Sequence, residues 1–205
     1  MTPAHDSIAL GRLRPTQMTV GMLQVKHKCK RLKELKKRPI ELVQFILLHP
    51  IRVVLGPKGK AYVIDHHHLA LALTKAKFET APMLIEDDFS RLSPTAFWKK
   101  MIARQFVHPV DADGKVLPVT RLPLRLKDLK DDPYRSLAGF VREAGGFNKV
   151  QTPFAEFLWA DFYRTRIKEK TIRNELSKTL EHALKLASHK DAAALPGFLK
   201  KSRQR

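Results

Sequence analysis

The apolar positions of this chain keep two different periods, and the change between them marks out its elements. Ile51, Val53 and Leu55 alternate, Gly56-Pro57-Lys58-Gly59 turns the chain, and Ala61 to Ile64 is a second apolar run. Two such runs across a glycine-containing turn predict a β-hairpin. Asp65 ends the second strand, and Leu69 to Leu73 suit a largely buried helix. Asp65 is the expected N-cap of that helix, with His66, His67 and His68 in its first turn. Ser7 to Leu13 reads as a short first strand ended by Arg14 to Gln17, and Ala81 to Ile85 as a strand closed by Glu86-Asp87-Asp88.

Elsewhere the spacing is three or four. Met22, Val25, Cys29, Leu32 and Leu35 predict a helix that begins near Thr19. Pro39 at the first helical position starts a second, with Ile40, Val43, Ile46 and Leu47 expected inward. Ser93-Pro94 caps a third, carrying Phe97, Met101 and Ile102, and His108 to Gly114 is a loop. From Arg121 the pattern is helical throughout. Asp132-Pro133 opens one helix with Leu137 and Val141 inward and Gly145-Gly146 after its end. Thr152-Pro153 opens an aromatic-rich helix, and Ile172, Leu176, Leu180, Leu184 and Ala187 predict one long last helix. The expected fold is α/β: a small mixed-sheet domain over residues 1–118, then a helical extension with a basic tail over 119–205.

Charge narrows the partners. The 205 residues hold 39 Lys and Arg against 20 Asp and Glu, a formal charge of +19, which points to a polyanion, nucleic acid first. The plain alternative is a basic protein kept soluble by its charge. The excess gathers on the polar face of the first helix, at Lys26, Lys28, Lys30, Arg31, Lys33, Lys36, Lys37 and Arg38, where Glu34 is the single acid. Solvated helix faces usually mix their signs; this one does not, so Lys30, Lys33 and Lys37 are the expected nucleic-acid contacts. The single cysteine, Cys29, excludes an internal disulfide or a cysteine-rich zinc site and sits at core spacing. No run of about 18 apolar residues is present, so no membrane span is expected and the cytoplasm is the expected location.

The chemistry concentrates at Asp65 to His68. A helix start offers free N–H groups and a positive dipole end to anions. Imidazole moves protons near neutral pH. Three consecutive histidines point about 100° apart on a regular helix, so they cannot converge on one ion; one or two would need His49 or His108 added by folding, and no metal ligand is assigned. Asp-His-His also occurs in the DHH phosphoesterases, but the further upstream aspartates that hold their two metal ions are missing here. A structural reading stands beside these: a packed histidine and a simple cap. Glu156 and Asp161 are set about 140° apart on their helix and make a poor carboxylate pair. Phe154, Phe157, Leu158, Trp159 and Phe162 suit core packing, with Trp159 the best candidate to stack a base.

Leu13 to Gln17 (LRPTQ), the hairpin ending in DHHH, and Phe106 to Gly114 (FVHPVDADG) together resemble the ParB-like nuclease family of the ParB/sulfiredoxin superfamily. The aromatic run PFAEFLWADFYR after DDPYRSLAGFVREAGGF fits the helical region of the same branch, and the resemblance covers about residues 7–170. It implies a small α/β sheet whose strand-to-helix turn holds nucleotide or DNA phosphates. ParB proteins bind CTP there, sulfiredoxins bind ATP, and relatives include free-serine kinases. The sulfiredoxin cysteine is absent from this turn, and His68 or Leu69 stands where an arginine usually follows, which disfavours that chemistry. By resemblance Arg14, Thr16 and Gln17 line the phosphate pocket, and His108 faces it. The expected activity is a nuclease with His67 as general acid or base, His66 and Asp65 as further catalytic candidates, and Arg14, Lys26 and His68 on phosphate. Mg²⁺ with ATP or CTP is the cofactor it suggests, nucleic acid and a nucleotide are the partners, and a homodimer is compatible with it. The alternatives are a nucleotide-dependent small-molecule kinase and a non-catalytic, nucleotide-sensing DNA binder.

Overall fold

A computed structural model describes residues 6–200. In chain order the elements are β1 (Asp6–Ala9), β2 (Leu13–Pro15), β3 (Thr19–Val20), α1 (Met22–Leu35), α2 (Pro39–Leu47), β4 (Ile51–Gly56), β5 (Lys60–Val63), α3 (His67–Lys75), β6 (Thr80–Asp88) and α4 (Pro94–Ala103). There follow β7 (Lys130–Asp131), α5 (Pro133–Glu143), α6 (Ala155–Arg164), α7 (Glu169–Asn174) and α8 (Leu176–Ala187). The chain divides into two compact units, residues 6–20 with 25–130, and residues 21–24 with 131–200.

The first unit is the mixed α/β domain. Its five-stranded sheet has the order β1-β6-β4-β5-β2. β4 and β5 form the expected hairpin, antiparallel with Val53 opposite Val63, and the turn is possible because Lys58 and Gly59 take positive φ. Gly56 at its end is obligatory for packing, since a Cβ there would meet the Tyr62 and Phe97 rings at 2.5 and 2.8 Å. β4 pairs parallel with β6, and β5 parallel with β2. The first strand of the sequence reading is in fact two. A 3₁₀ turn at Leu10–Arg12 interrupts it, so β1 and β2 go to opposite edges of the sheet. A single alternating run cannot reveal such a break, because both pieces bury apolar residues, Ile8 in one and Leu13 in the other.

Helix α3 is buried from His67 to Leu73. α1 lies along it, with the Cys29 thiol against Ala72 O and Lys36 Nζ bonded to Ala76 O at 2.8 Å, so the two helices run in the same sense. Val25, Leu32 and Leu35 of α1 are buried as their spacing requires. α4 is capped by Ser93, whose Oγ accepts from Ala96 N, and it buries Phe97 and Met101. Ile102 of the same helix is 55% exposed. The larger departure is α2, which buries no residue; Ile40 and Val43 are 76% and 56% exposed. Periodicity establishes that these side chains share a face, not that anything covers it.

The second unit is helical. Asp132 caps α5 by accepting from Tyr134 N and Arg135 N. Leu137, Val141, Trp159, Tyr163, Ile172 and Ala183 fill its core. Trp159 is fully buried, stacked on Phe147 with centroids 4.2 Å apart, and donates Nε1–H to Pro196 O. It packs the core and is closed to a base. α6 begins at Ala155, after Phe154 in a left-handed conformation. The expected long last helix breaks at Glu175 into α7 and α8; both halves present apolar residues to the same core, so the spacing alone reads through the break.

Candidate functional site

Every residue singled out in the sequence for phosphate or catalytic work lies in the first unit. The turn from β5 into α3 departs from the simplest expectation. Asp65 does not cap the helix: its Oδ1 accepts from the very next N–H, that of His66, at 2.6 Å. His66 takes the cap position in a left-handed conformation, φ 66° and ψ 24°, and no side chain caps α3. The carboxylate is thus spent on stabilising the bend, and the helix starts one residue later, at His67.

The three imidazoles consequently differ. His67 is buried, and its Nε2 accepts from Thr16 N at 3.2 Å. That bond fixes the ring against the end of β2 and occupies the lone pair a proton acceptor would need. His68 is also buried. His66 is half-buried, and its Nδ1 lies 2.9 Å from Pro50 O. A carbonyl only accepts, so Nδ1 carries the proton, and in the neutral ring the lone pair is on Nε2. Hairpin register explains the contact: pairing of Val53 with Val63, continued outward along both strands, sets Pro50 opposite His66.

Thr16 ties the three sequence segments together. Its Oγ1 donates to Val63 O at 2.6 Å, and its carbonyl accepts from His108 N at 2.8 Å. Gln17 pairs with His108 in a parallel bridge. The LRPTQ loop, the histidine turn and the FVHP segment therefore meet at one place, through backbone groups and buried side chains. Arg14 is turned elsewhere. It is in register with Tyr62, and its Nη1 donates to Leu124 O at 2.9 Å. Burial raises the Tyr62 phenol above its usual range, with the Arg14 charge opposing. Burial likewise raises the Cys29 thiol, against Lys75 and Lys33, which suits a core thiol and not a nucleophile.

Lys26, Lys30 and Lys33 are exposed on α1, at spacings that put them on one stripe of the helix, and Lys37 is exposed in the turn just after it. Lys37 is paired with Glu34 at 2.9 Å; among the described residues, no carboxylate lies within ion-pair reach of Lys26, Lys30 or Lys33. The three helical lysines extend over about 10 Å at 1.5 Å per residue. A concavity lined by Asp88, Phe89, Arg91, Leu92 and Lys100 at the end of β6 includes none of these residues.

Residues 6–165 match the family described as "Putative ParB-like nuclease". The chain belongs to that family. The match spans both units and includes LRPTQ, the histidine turn and FVHP. The chain is also similar to the crystal structure of protein Atu1540 from Agrobacterium tumefaciens, with 40% identity, a TM-score of 0.86, and coverage of 96% of this chain and 98% of that one. No curated protein matches. No described helix is long and apolar enough to cross a membrane.

The donor set of the turn bears on the expected nucleotide and Mg²⁺. Mg²⁺ takes near-octahedral oxygen ligands, one or two of them carboxylates. Asp65 is the turn's one carboxylate, and its Oδ1 accepts from His66 N, so the turn would give Mg²⁺ one carboxylate oxygen, Oδ2, with phosphate and water left to complete the shell. No side chain caps the α3 start, and uncapped helix starts are places where backbone N–H groups meet phosphate oxygens.

Proposed function

We propose that this member of the ParB-like nuclease family is a nucleic-acid-binding nuclease. Lysines 26, 30 and 33 grip the phosphate backbone, and the start of α3 takes a phosphate. Its chemistry centres on His66 and not on His67. The observation that carries this reading is the contrast within the turn. Only His66 combines partial exposure with a ring whose proton is fixed on Nδ1 by Pro50 O. His67, with Nε2 committed to Thr16 N, positions the LRPTQ loop against the turn. ATP or CTP phosphates are a second ligand for the same helix start, and the absence of any side-chain cap is what favours them.

The test pairs cleavage with binding. Labelled single- and double-stranded DNA and RNA are incubated with the protein, and affinity is followed by anisotropy across a salt series. His66→Ala should lower cleavage about 10²–10⁴-fold, the usual loss for a group acting in the chemical step, with affinity nearly unchanged. Wild-type protein that binds steeply with salt yet leaves every nucleic acid intact is a binder, and the nuclease reading then fails. Salt-independent binding, or none, removes the nucleic-acid reading as a whole.

A further inference from the structure

His66 has a neighbour that the family resemblance does not supply. His49, just beyond the end of α2, is exposed, and its ring centroid lies 6.2 Å from that of His66 with the planes at 49°. The two imidazoles are held in the same way. Nδ1 of His49 is 2.7 Å from Phe45 O, and Nδ1 of His66 is 2.9 Å from Pro50 O. Both rings therefore carry their proton on Nδ1 and their lone pair on Nε2, and neither Nε2 has a partner among the described residues. A ring N–H given to a backbone carbonyl, with the other nitrogen left as donor, is the arrangement that metal-ligating histidines almost always adopt.

We propose that His49 and His66 bind one divalent transition-metal ion through Nε2. Imidazole suits Zn²⁺, Ni²⁺ and Cu²⁺, whereas Mg²⁺ and Ca²⁺ take oxygen ligands. The spacing agrees. With metal–nitrogen bonds of about 2.0–2.1 Å, two imidazoles on one ion have centroids roughly 5 to 6.4 Å apart, from a tetrahedral to a linear angle. The observed 6.2 Å is within that range, at its wide end. Among the described residues no third His, Cys, Asp or Glu joins the pair, so water completes the coordination sphere. Arg31 stands over the Phe45 ring at 4.6 Å, not over either imidazole. Exchangeable water positions are what a metal-assisted hydrolysis requires. The inference shares His66 with the reading above, but its test contains no nucleic acid, so either can fail alone.

Chelator-stripped protein without an affinity tag is titrated with Zn²⁺, Ni²⁺ or Mg²⁺ by calorimetry, and with Cu²⁺ by electron paramagnetic resonance. One transition-metal equivalent is expected per chain, with no Mg²⁺ heat, and the Cu²⁺ spectrum should show hyperfine coupling to two imidazole nitrogens. His49→Ala and His66→Ala should each weaken that equivalent at least tenfold, while His182→Ala, at an exposed histidine of α8 in the second unit, leaves it unchanged. His49 is exposed, so its variant is expected to fold, and circular dichroism checks both variants. Unchanged affinity in His49→Ala, coupling to a single nitrogen, or no transition-metal binding at all would overturn the site.

Discussion

The two units use charge in opposite ways. In the first, Lys26, Lys30 and Lys33 stand exposed in a row without a carboxylate partner. In the second, Arg135 and Arg142 both bond Glu156, and Arg164 bonds Asp132, which is 1% exposed. Fixed, partly buried ion pairs hold helices together but have little charge left for a ligand. Unpaired surface lysines add little to the fold and keep their charge for a partner. The formal charge of +19 is therefore a property to divide by region before it is read as binding. The arginines of the second unit belong mostly to its structure, and the lysines of α1 carry the recognition role in the function proposed above.

Breaking the network of the second unit should have the largest effect. Glu156 side-chain exposure is 26%, and its loss strands two arginines, Arg135 being the more buried at 10%. Glu156→Ala should cost about 3 kcal/mol, the low end for breaking a buried pair, because the carboxylate keeps some water. Denaturant unfolding measures it, and a loss under about 1 kcal/mol would mean the network is surface-like. The same carboxylate gives a pH signature. Burial pushes Glu156 up, but the Arg135 and Arg142 charges outweigh it and hold the group below the usual range. A lowered folded-state pKa contributes stability fully present above about pH 4.3, the unfolded value, and lost as pH falls through the folded one. Glu156→Gln should flatten that acid limb, which a pH series of unfolding curves follows.

The opposite outcome is expected in the first unit. Lys26→Ala, Lys30→Ala and Lys33→Ala combined should leave stability within about 0.5 kcal/mol. The slope of log affinity against log salt should fall by about 2.7, near 0.9 for each phosphate no longer neutralised. A stability loss without a change in slope would erase the contrast between the units. His67→Ala tests whether that residue belongs with the buried, structural groups. It strands the Thr16 N–H inside the protein, and a cost of about 1–2 kcal/mol is expected. Unchanged stability would argue that the Thr16 bond does not fix the ring.

Much of this was legible in the sequence, and the failures have common causes. The β4–β5 hairpin, the α4 cap at Ser93 and the α5 cap at Asp132 follow from local chemistry that tertiary structure had no reason to override. So did the convergence of LRPTQ, the histidine turn and FVHP, although through resemblance and not through spacing. Asp65 was misplaced as a cap because an aspartate can serve either its own next N–H or one further into the helix. Only the left-handed His66 decides between them. The difference between His66 and His67 depends on Pro50 and Thr16, far away in sequence. The first of these could have been read, since extending the hairpin register places Pro50 against His66. The exposed face of α2 could not, because the pattern of a stripe is the same whether or not it is covered.

The smallest expected effect lies at the end of α1, where Lys37, in the turn just past the helix, is paired and the lysines before it are not. Lys37 and Glu34 are 72% and 53% exposed at 2.9 Å, an i,i+3 pair at the surface. The hydrogen bond and charge of Lys37 hold the Glu34 carboxyl below its usual range, so at neutral pH the acid is fully charged beside the stripe. A lysine already matched by a carboxylate displaces fewer counterions from nucleic acid than a free one. Lys33→Ala should lower the salt slope by about 0.9, and Lys37→Ala by clearly less. Glu34→Gln removes the competing charge while keeping the shape, so it should raise affinity and steepen the slope, by no more than about 0.9. Anisotropy titrations of the three single variants at several salt concentrations give all of these slopes. Equal losses for Lys33→Ala and Lys37→Ala, with no gain in Glu34→Gln, would show that nucleic acid reads only the total charge of the helix. Pairing would then have no bearing on which lysines bind.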